Sequence, residues 1–146
     1  MGLNYVNLDD QTRKFMLEEF ERDIRNGTLY MSPRLNEAGI LKWGSILKQA
    51  IENQNDDWLA GKIREENCMK SHEEKRKPSG GFKTAKIPVT APDTLAEGEF
   101  NRFYARGLCA RAIDNGIKEV VIYRGKEVQQ PRACISSDLF GHFSVI

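Results

Sequence analysis

Apolar residues recur three and four positions apart through most of this chain, and the rhythm breaks where asparagine, proline and glycine cluster. The first run spans residues 11–26. There Phe15, Met16, Phe20 and Ile24 fall on one stripe while Glu18, Glu19, Glu21, Arg22 and Arg25 cover the rest, as in a surface helix that buries one side. Asp9 or Asp10 offers a carboxylate to the free amides of the first turn, and Gly27 offers a left-handed stop. Residues 28–31 are short and β-prone. Ser32 and Pro33 predict a brief helical turn, after which Asn36 caps a second helix over 37–53. In that helix Ile40, Trp43, Leu47, Ala50 and Ile51 keep the spacing of a buried face. Gly39 and Gly44 weaken it by about 1 kcal/mol each relative to alanine, which points to close packing there. Asn55 caps a third helix carrying Trp58, Leu59 and Ile63. Short connections make such helices antiparallel neighbours, so residues 1–66 are expected to form a three-helix unit with Trp43 and Trp58 in its core.

Between residues 67 and 81 the apolar rhythm lapses. Mixed charges ending in Pro78-Ser79-Gly80-Gly81 predict a basic flexible linker. Residues 82–90 are extended in character, and Pro88 places any strand there at a sheet edge. Thr94 and Glu97 fit a capping box, with Asp93 as an alternative cap, at the start of a helix over 95–115 roughly 30 Å long. Gly116 is its stop. Phe100, Phe103, Tyr104, Gly107 and Leu108 fall on one broad face of this helix, and Arg102, Arg106 and Cys109 on the other. Arg111 breaks the pattern by projecting from the aromatic face, where a charge must snorkel, stack on a ring or meet a carboxylate. Residues 119–124 read as a strand buried on both faces, with a turn at Gly125. The expected architecture is therefore α+β: the helical unit, then a small β-α-β block over 82–132 built on the long helix. If its two strands share a sheet, the crossover is right-handed; otherwise the helix lies across a small antiparallel sheet. The apolar tail 133–146, with Leu139, Phe140, Phe143, Val145 and Ile146, is expected to dock on the core or on another chain.

Bulk composition changes this picture little. The chain has 146 residues, 40% of them hydrophobic and 29% charged, which is the balance of a globular protein able to bury a core. No apolar run reaches the length of a membrane span, and the N-terminus lacks the basic and apolar regions of a secretory signal, so a cytoplasmic location is expected. Cys68, Cys109 and Cys134 cannot all pair with one another, and none lies in a CxxC. Cys68 and His72 have the spacing of half a zinc site, but no second pair completes it, and no metal or cofactor is expected. Charge is balanced at +1 and unevenly spread. Residues 1–61 carry ten acids and seven bases, 62–86 four and eight, and 87–146 seven of each, which leaves a basic stripe in the middle. In the glycine-rich stretch at its end, Phe82 separates Gly81 from Lys83, so the spacing of a phosphate-binding P-loop is missing.

The stretch TLAEGEFNRFYARGLCARAI, followed by VIYRGKEVQQPR, resembles a group of uncharacterised bacterial proteins, some of them phage-borne. Their shared signature is LAEGEFNRFY-x-R-x-LC-x-RAI with a following YR and PR, and the likeness extends upstream through DDQTRKFM, GTLYMSPRL and DDWLAGKI. The resemblance implies no activity. Its phage-borne members make a virion an alternative expected location to the cytoplasm.

Three classes of function fit the residues. The first is a non-enzymatic interaction or structural subunit, of a phage particle or another assembly, with a protein partner or self-association. The second is a nucleic-acid-binding module that uses the arginine-aromatic helix and the basic linker. For either, the candidate contact residues are Arg102, Tyr104, Arg106, Arg111, Arg124, Lys126 and Arg132. The third is an enzyme built from Glu97, Glu99, Arg102, Tyr104 and Arg106 with Cys109 as nucleophile. No histidine lies near in sequence to activate that cysteine, so no catalytic residue is assigned and the expectation leans away from an enzyme.

Overall fold

A computed structural model of the chain describes residues 2–121 and 143–144. Cys134, the turn expected at Gly125, the candidate residues Arg124, Lys126 and Arg132, and nearly all of the apolar tail lie outside the described residues. The architecture is α+β, with four helices and two small antiparallel sheets among those residues.

Helix α1 (Asp10–Asn26) is capped by Asp9, whose carboxylate accepts from the Thr12 amide at 2.9 Å, and it stops at Gly27 with φ 65°. Its buried stripe differs from the expected one. Met16 and Phe20 are buried, but Ile24 is 51% exposed, and Thr12, Glu19 and Asp23 lie inside instead. Helix α2 (Glu37–Asn53) has the expected bounds and Asn36 cap, and buries Trp43, Ile46, Leu47, Ala50 and Ile51. Its carboxyl end is covered by Arg13, which donates to the Ile51 and Gln54 carbonyls and, at 3.3 Å, to the Ala50 carbonyl that also accepts the Gln54 amide. The expected close packing is seen at Gly39, where a Cβ would run into the Cys68 backbone, and not at Gly44. Helix α3 (Asp56–Glu65), capped by Asn55, buries Leu59, Ala60 and Ile63. Trp43 is buried as expected and donates its indole N–H to the Tyr30 carbonyl, while Trp58 is only half-buried at the core's margin.

The long helix α4 (Ala91–Asp114) starts four residues before the expected position. Thr94 is not its cap; its hydroxyl donates back to the Thr90 carbonyl from within the first turn. Pro92 does not end the preceding strand but opens the helix, where a residue without an N–H costs nothing. Nor does α4 belong to a separate block. Ala96, Phe100, Phe103 and Tyr104 share one core with Met16 and Phe20 of α1, Trp43 and Leu47 of α2, and Leu59 and Ile63 of α3. The reason is area: an aromatic face of this length finds no cover on two-stranded sheets, and the three helices supply it. Phe20 meets Phe103 edge-on, and at the tightest point Gly107 lets α4 close on α1, since a Cβ there would lie 2.5 Å from Met16 Cγ and 2.9 Å from its amide nitrogen. The N-terminal segment closes the core from one side. Leu3 donates to Asp56 at 2.8 Å, the Tyr5 ring packs on Phe100 and Tyr104, and the Tyr104 hydroxyl donates to the Val6 carbonyl.

Residues 67–81, expected as a linker, contain strand β1 (His72–Arg76), which pairs antiparallel with β2 (Phe82–Lys86), Arg76 opposite Phe82. Strand β2 falls in the stretch expected to be extended, whereas β1 was not expected, because the ribbon has no apolar face for alternation to reveal. Its register rests on the backbone ladder and on a turn at Pro78–Gly81 rather than on burial. Strand β3 (Glu119–Val120) pairs with β4 (Phe143–Ser144) in a second sheet. Strands β2 and β3 therefore flank α4 in sequence without sharing a sheet, and among the described residues no crossover joins them. For β2 the nearest partner in sequence, β1, wins because closing a short turn costs less chain entropy than reaching across a 24-residue helix. Val121 is 73% exposed, against the two-sided burial expected for this strand.

Candidate functional site

The α1–α4 contact resolves most of the arginines that looked available. On α1, Thr12, Met16, Glu19 and Asp23 face α4, a 4-3-4 spacing that puts two carboxylates opposite the α4 arginines. Arg106 donates to Glu19 at 2.9 Å and to both Asp23 oxygens at 2.8 and 3.0 Å. Arg102 reaches Asp23 at 3.4 Å and Glu99 at 3.2 Å. Both guanidinium groups lie over the Phe103 ring, 5.2 Å from its centre, so two cations cover this aromatic side chain of the core. The Arg106 hydrogen bond holds the Asp23 carboxyl below its ordinary range, and Asp23 in return raises the Arg106 guanidinium. These arginines are internal fasteners.

Arg111 is settled in the same way. One of its guanidinium nitrogens donates to both Asp9 oxygens and to the Thr12 hydroxyl, all at 2.8 Å. It tethers the end of α4 to the cap of α1, the carboxylate alternative among the three open to it. Asp9 is pulled down first by the Thr12 amide and, among smaller effects, by Arg111. Tyr104, its hydroxyl engaged by Val6, is buried as well. Four of the expected contact residues thus take part in contacts inside the chain, and the other three lie outside the described residues.

A cleft of about 310 Å³ lies between the first turns of α4 and the segment before α2, lined by Tyr30, Ser32, Arg34, Met69, Thr94, Leu95 and Glu99, among others. Glu99 is 9% exposed, and its Oε2 makes no hydrogen bond although Arg102 stands 3.2 Å away off-line. Burial raises its pKa, against the attraction of Arg102. Of the groups considered for catalysis, Glu99 is the one that faces this cleft. Cys109 is half-buried on another part of α4, and among the described residues no three His, Cys, Asp or Glu side chains converge to hold a metal.

The β1–β2 hairpin has the opposite character. Neither strand packs on a helix, and eight of its ten residues are solvent-exposed; Glu73 and Ala85 are half-buried at its foot. The foot is clamped. Arg34 grips Glu73 through two hydrogen bonds of 2.7 and 2.9 Å, which lowers the Glu73 carboxyl and raises the Arg34 guanidinium. The Lys70 amide donates to the Arg34 carbonyl, and the Asn36 amide nitrogen Nδ2 brackets the Asn67 and Met69 carbonyls. At the tip, Gly80 donates back to Lys77 and Lys77 to the Gly81 carbonyl, with φ of 94° and 75° at Gly80 and Gly81 that a side chain would oppose. Arg76, Lys77, Lys83 and Lys86 form no ion pair among the described residues, and Phe82 is 67% exposed. The contact-residue set read from the sequence omitted this tip. The signal lay in the basic stretch 70–86 and in a Pro-Ser-Gly-Gly turn flanked by two short extended runs.

No protein-family model matches this chain, no curated protein matches it significantly, and no solved structure does so either.

Proposed function

We propose that this chain is a non-enzymatic interaction subunit: a helical body that carries its contact element, the β1–β2 hairpin, on a clamped foot. The observation that carries this reading is the hairpin's isolation. A ten-residue ribbon that packs on no helix adds nothing to the core, yet its foot is fixed by Arg34, Asn36 and Lys70. Two-stranded ribbons are marginal on their own, so the fixing has a use only if the ribbon meets something. Charged residues along both strands, Lys75, Lys83 and Lys86 among them, discourage edge-to-edge pairing with another sheet, which favours contact through the side chains. Membership of a phage particle or of a cytoplasmic assembly is the finer form of the proposal, supported by the LAEGEFNRFY signature. No helix among the described residues is long and apolar enough to cross a membrane.

The test is a photo-crosslinking amino acid at Phe82, compared with one at Leu41, which is 85% exposed on the helical body. In cells that make the chain naturally, a defined macromolecule is expected to crosslink from position 82 and not from 41. Equal or absent crosslinking at the two positions would remove the hairpin as the contact element.

A further inference from the structure

We propose that the hairpin tip binds nucleic acid, with its basic side chains on the phosphate backbone and Phe82 against a base. This rests on the reading of the hairpin as the contact element and names its partner. Residues 75–83 hold four bases and no acid, in a chain whose net charge is only +1. Residues 70–86 carry six bases and two acids, which leaves sixteen bases and nineteen acids for the rest, so the body is net acidic and the arm net basic. Of the two acids, Glu73 is engaged by Arg34 and by Lys75 at 3.2 Å, turned to the foot and away from the tip. Lys75 stands directly opposite Lys83 in the ladder. Lys75 is already paired with Glu73, so Lys83 is the cation of this rung left open to a phosphate.

The shape agrees with the charge. Five residues per strand give a ribbon about 17 Å long, and a two-stranded ribbon fits a major groove about 12 Å wide. Arg76 and Phe82 form the last rung, side by side on one face, so a cation and an exposed aromatic ring arrive together at the end of the arm. An aromatic ring beside cations contacts bases either by stacking on unpaired ones or by wedging between paired ones. Gly80 and Gly81 keep the extremity free of side chains that would hold the backbone away from phosphates.

The experiment uses the full chain and four fluorescent 20-nucleotide probes of mixed sequence: single- and double-stranded DNA, and single- and double-stranded RNA. Binding to at least one probe is expected at 50 mM salt, weakening about 100-fold by 200 mM, the dependence of three to four phosphate contacts. Arg76→Glu, Lys77→Glu and Lys83→Glu combined should abolish it while the thermal midpoint holds, whereas Lys14→Glu with Arg25→Glu, exposed bases of α1, should leave at least a tenth of the affinity. Phe82→Ala should cost about tenfold without altering the salt slope, and Phe82→Trp should restore it. Which probe is preferred identifies the form of nucleic acid. No binding to any probe at 50 mM salt overturns the inference, as does equal sensitivity to the two sets of charge reversals, or binding to phosphatidylserine vesicles in place of all four probes. If the probes fail while position 82 still crosslinks a protein, the partner is wrong and the contact element stands. If both fail, the hairpin reading falls too.

Discussion

Basic side chains occur at two places in this chain and meet opposite fates. On α4, Arg102, Arg106 and Arg111 are each met by a carboxylate of the α1 segment, so their charge closes the seam between two helices. On the hairpin, Arg76, Lys77 and Lys83 are met by nothing among the described residues, and they stand on an element that leaves the core. Composition alone does not separate the two groups; burial and the neighbouring chain do. A helix that must bury an aromatic face brings its flanking arginines against a neighbour, where desolvation makes a carboxylate partner obligatory. A ribbon without an apolar face brings its cations into water.

The contrast predicts a gradient of effects. Phe103→Ala should cost the most, about 3–5 kcal/mol in urea denaturation, because it empties the centre of the α1–α4 contact and removes the ring under two guanidinium groups. A cost below about 1 kcal/mol would show that α4 is not the core helix described.

Asp23→Asn comes next, at about 2 kcal/mol, because Arg106 keeps Glu19 but loses its second carboxylate. The loss should depend on pH in one direction. The folded carboxyl sits below 3.8, so its stabilisation is present above that value and disappears as pH falls through the lowered folded pKa; the gap between wild type and variant must therefore close in acid. A gap that persists below that pKa would mean that Asp23 acts through packing rather than charge.

Glu99→Gln should do the reverse and slightly stabilise the chain near neutrality. Its carboxyl is raised above 4.5 by burial, so the native state is favoured below that value and loses ground as pH rises through the folded pKa. The gain should be absent at low pH, and a loss of stability at pH 7 would make the Arg102 pairing the dominant influence on Glu99. Smallest of all is the combined reversal Arg76→Glu, Lys77→Glu and Lys83→Glu, expected within about 0.5 kcal/mol of wild type by thermal unfolding. A larger loss would place the hairpin among the stabilising elements and erase the contrast.

How much was legible in the chain follows from the range of the forces involved. Helix α2 matched its expected bounds at both ends, since Asn36 and the Trp43-Leu47-Ala50 spacing act within a few residues. The aromatic face of α4 was equally plain. Its start was misplaced because Thr94 and Glu97 form a better local cap than Thr90, yet Pro92 already has the backbone angle of a first helical turn. Glu19 was assigned to solvent and Asp23 was given no role, because their partner Arg106 lies more than eighty residues away, beyond any local pattern. Residue types alone left Arg111 with three possible fates; only the arrival of Asp9 and Thr12 decides among them. The hairpin was missed for the converse reason, since solvent-exposed pairing imposes no constraint on side chains. The candidate site was therefore less legible than the core.

The joining of α4 to the N-terminal segment also sets a schedule for the newborn chain. Arg111 meets Asp9 across 102 positions, and Tyr104 meets Val6 across 98. At roughly 5–20 residues per second of synthesis, α1 waits about 4–16 s for the helix that covers it. Throughout that interval Met16 and Phe20 have no lid, and the nascent chain offers a chaperone an apolar stripe flanked by acids. Release of the chaperone would then be timed by the emergence of α4, the last of the four described helices to be made.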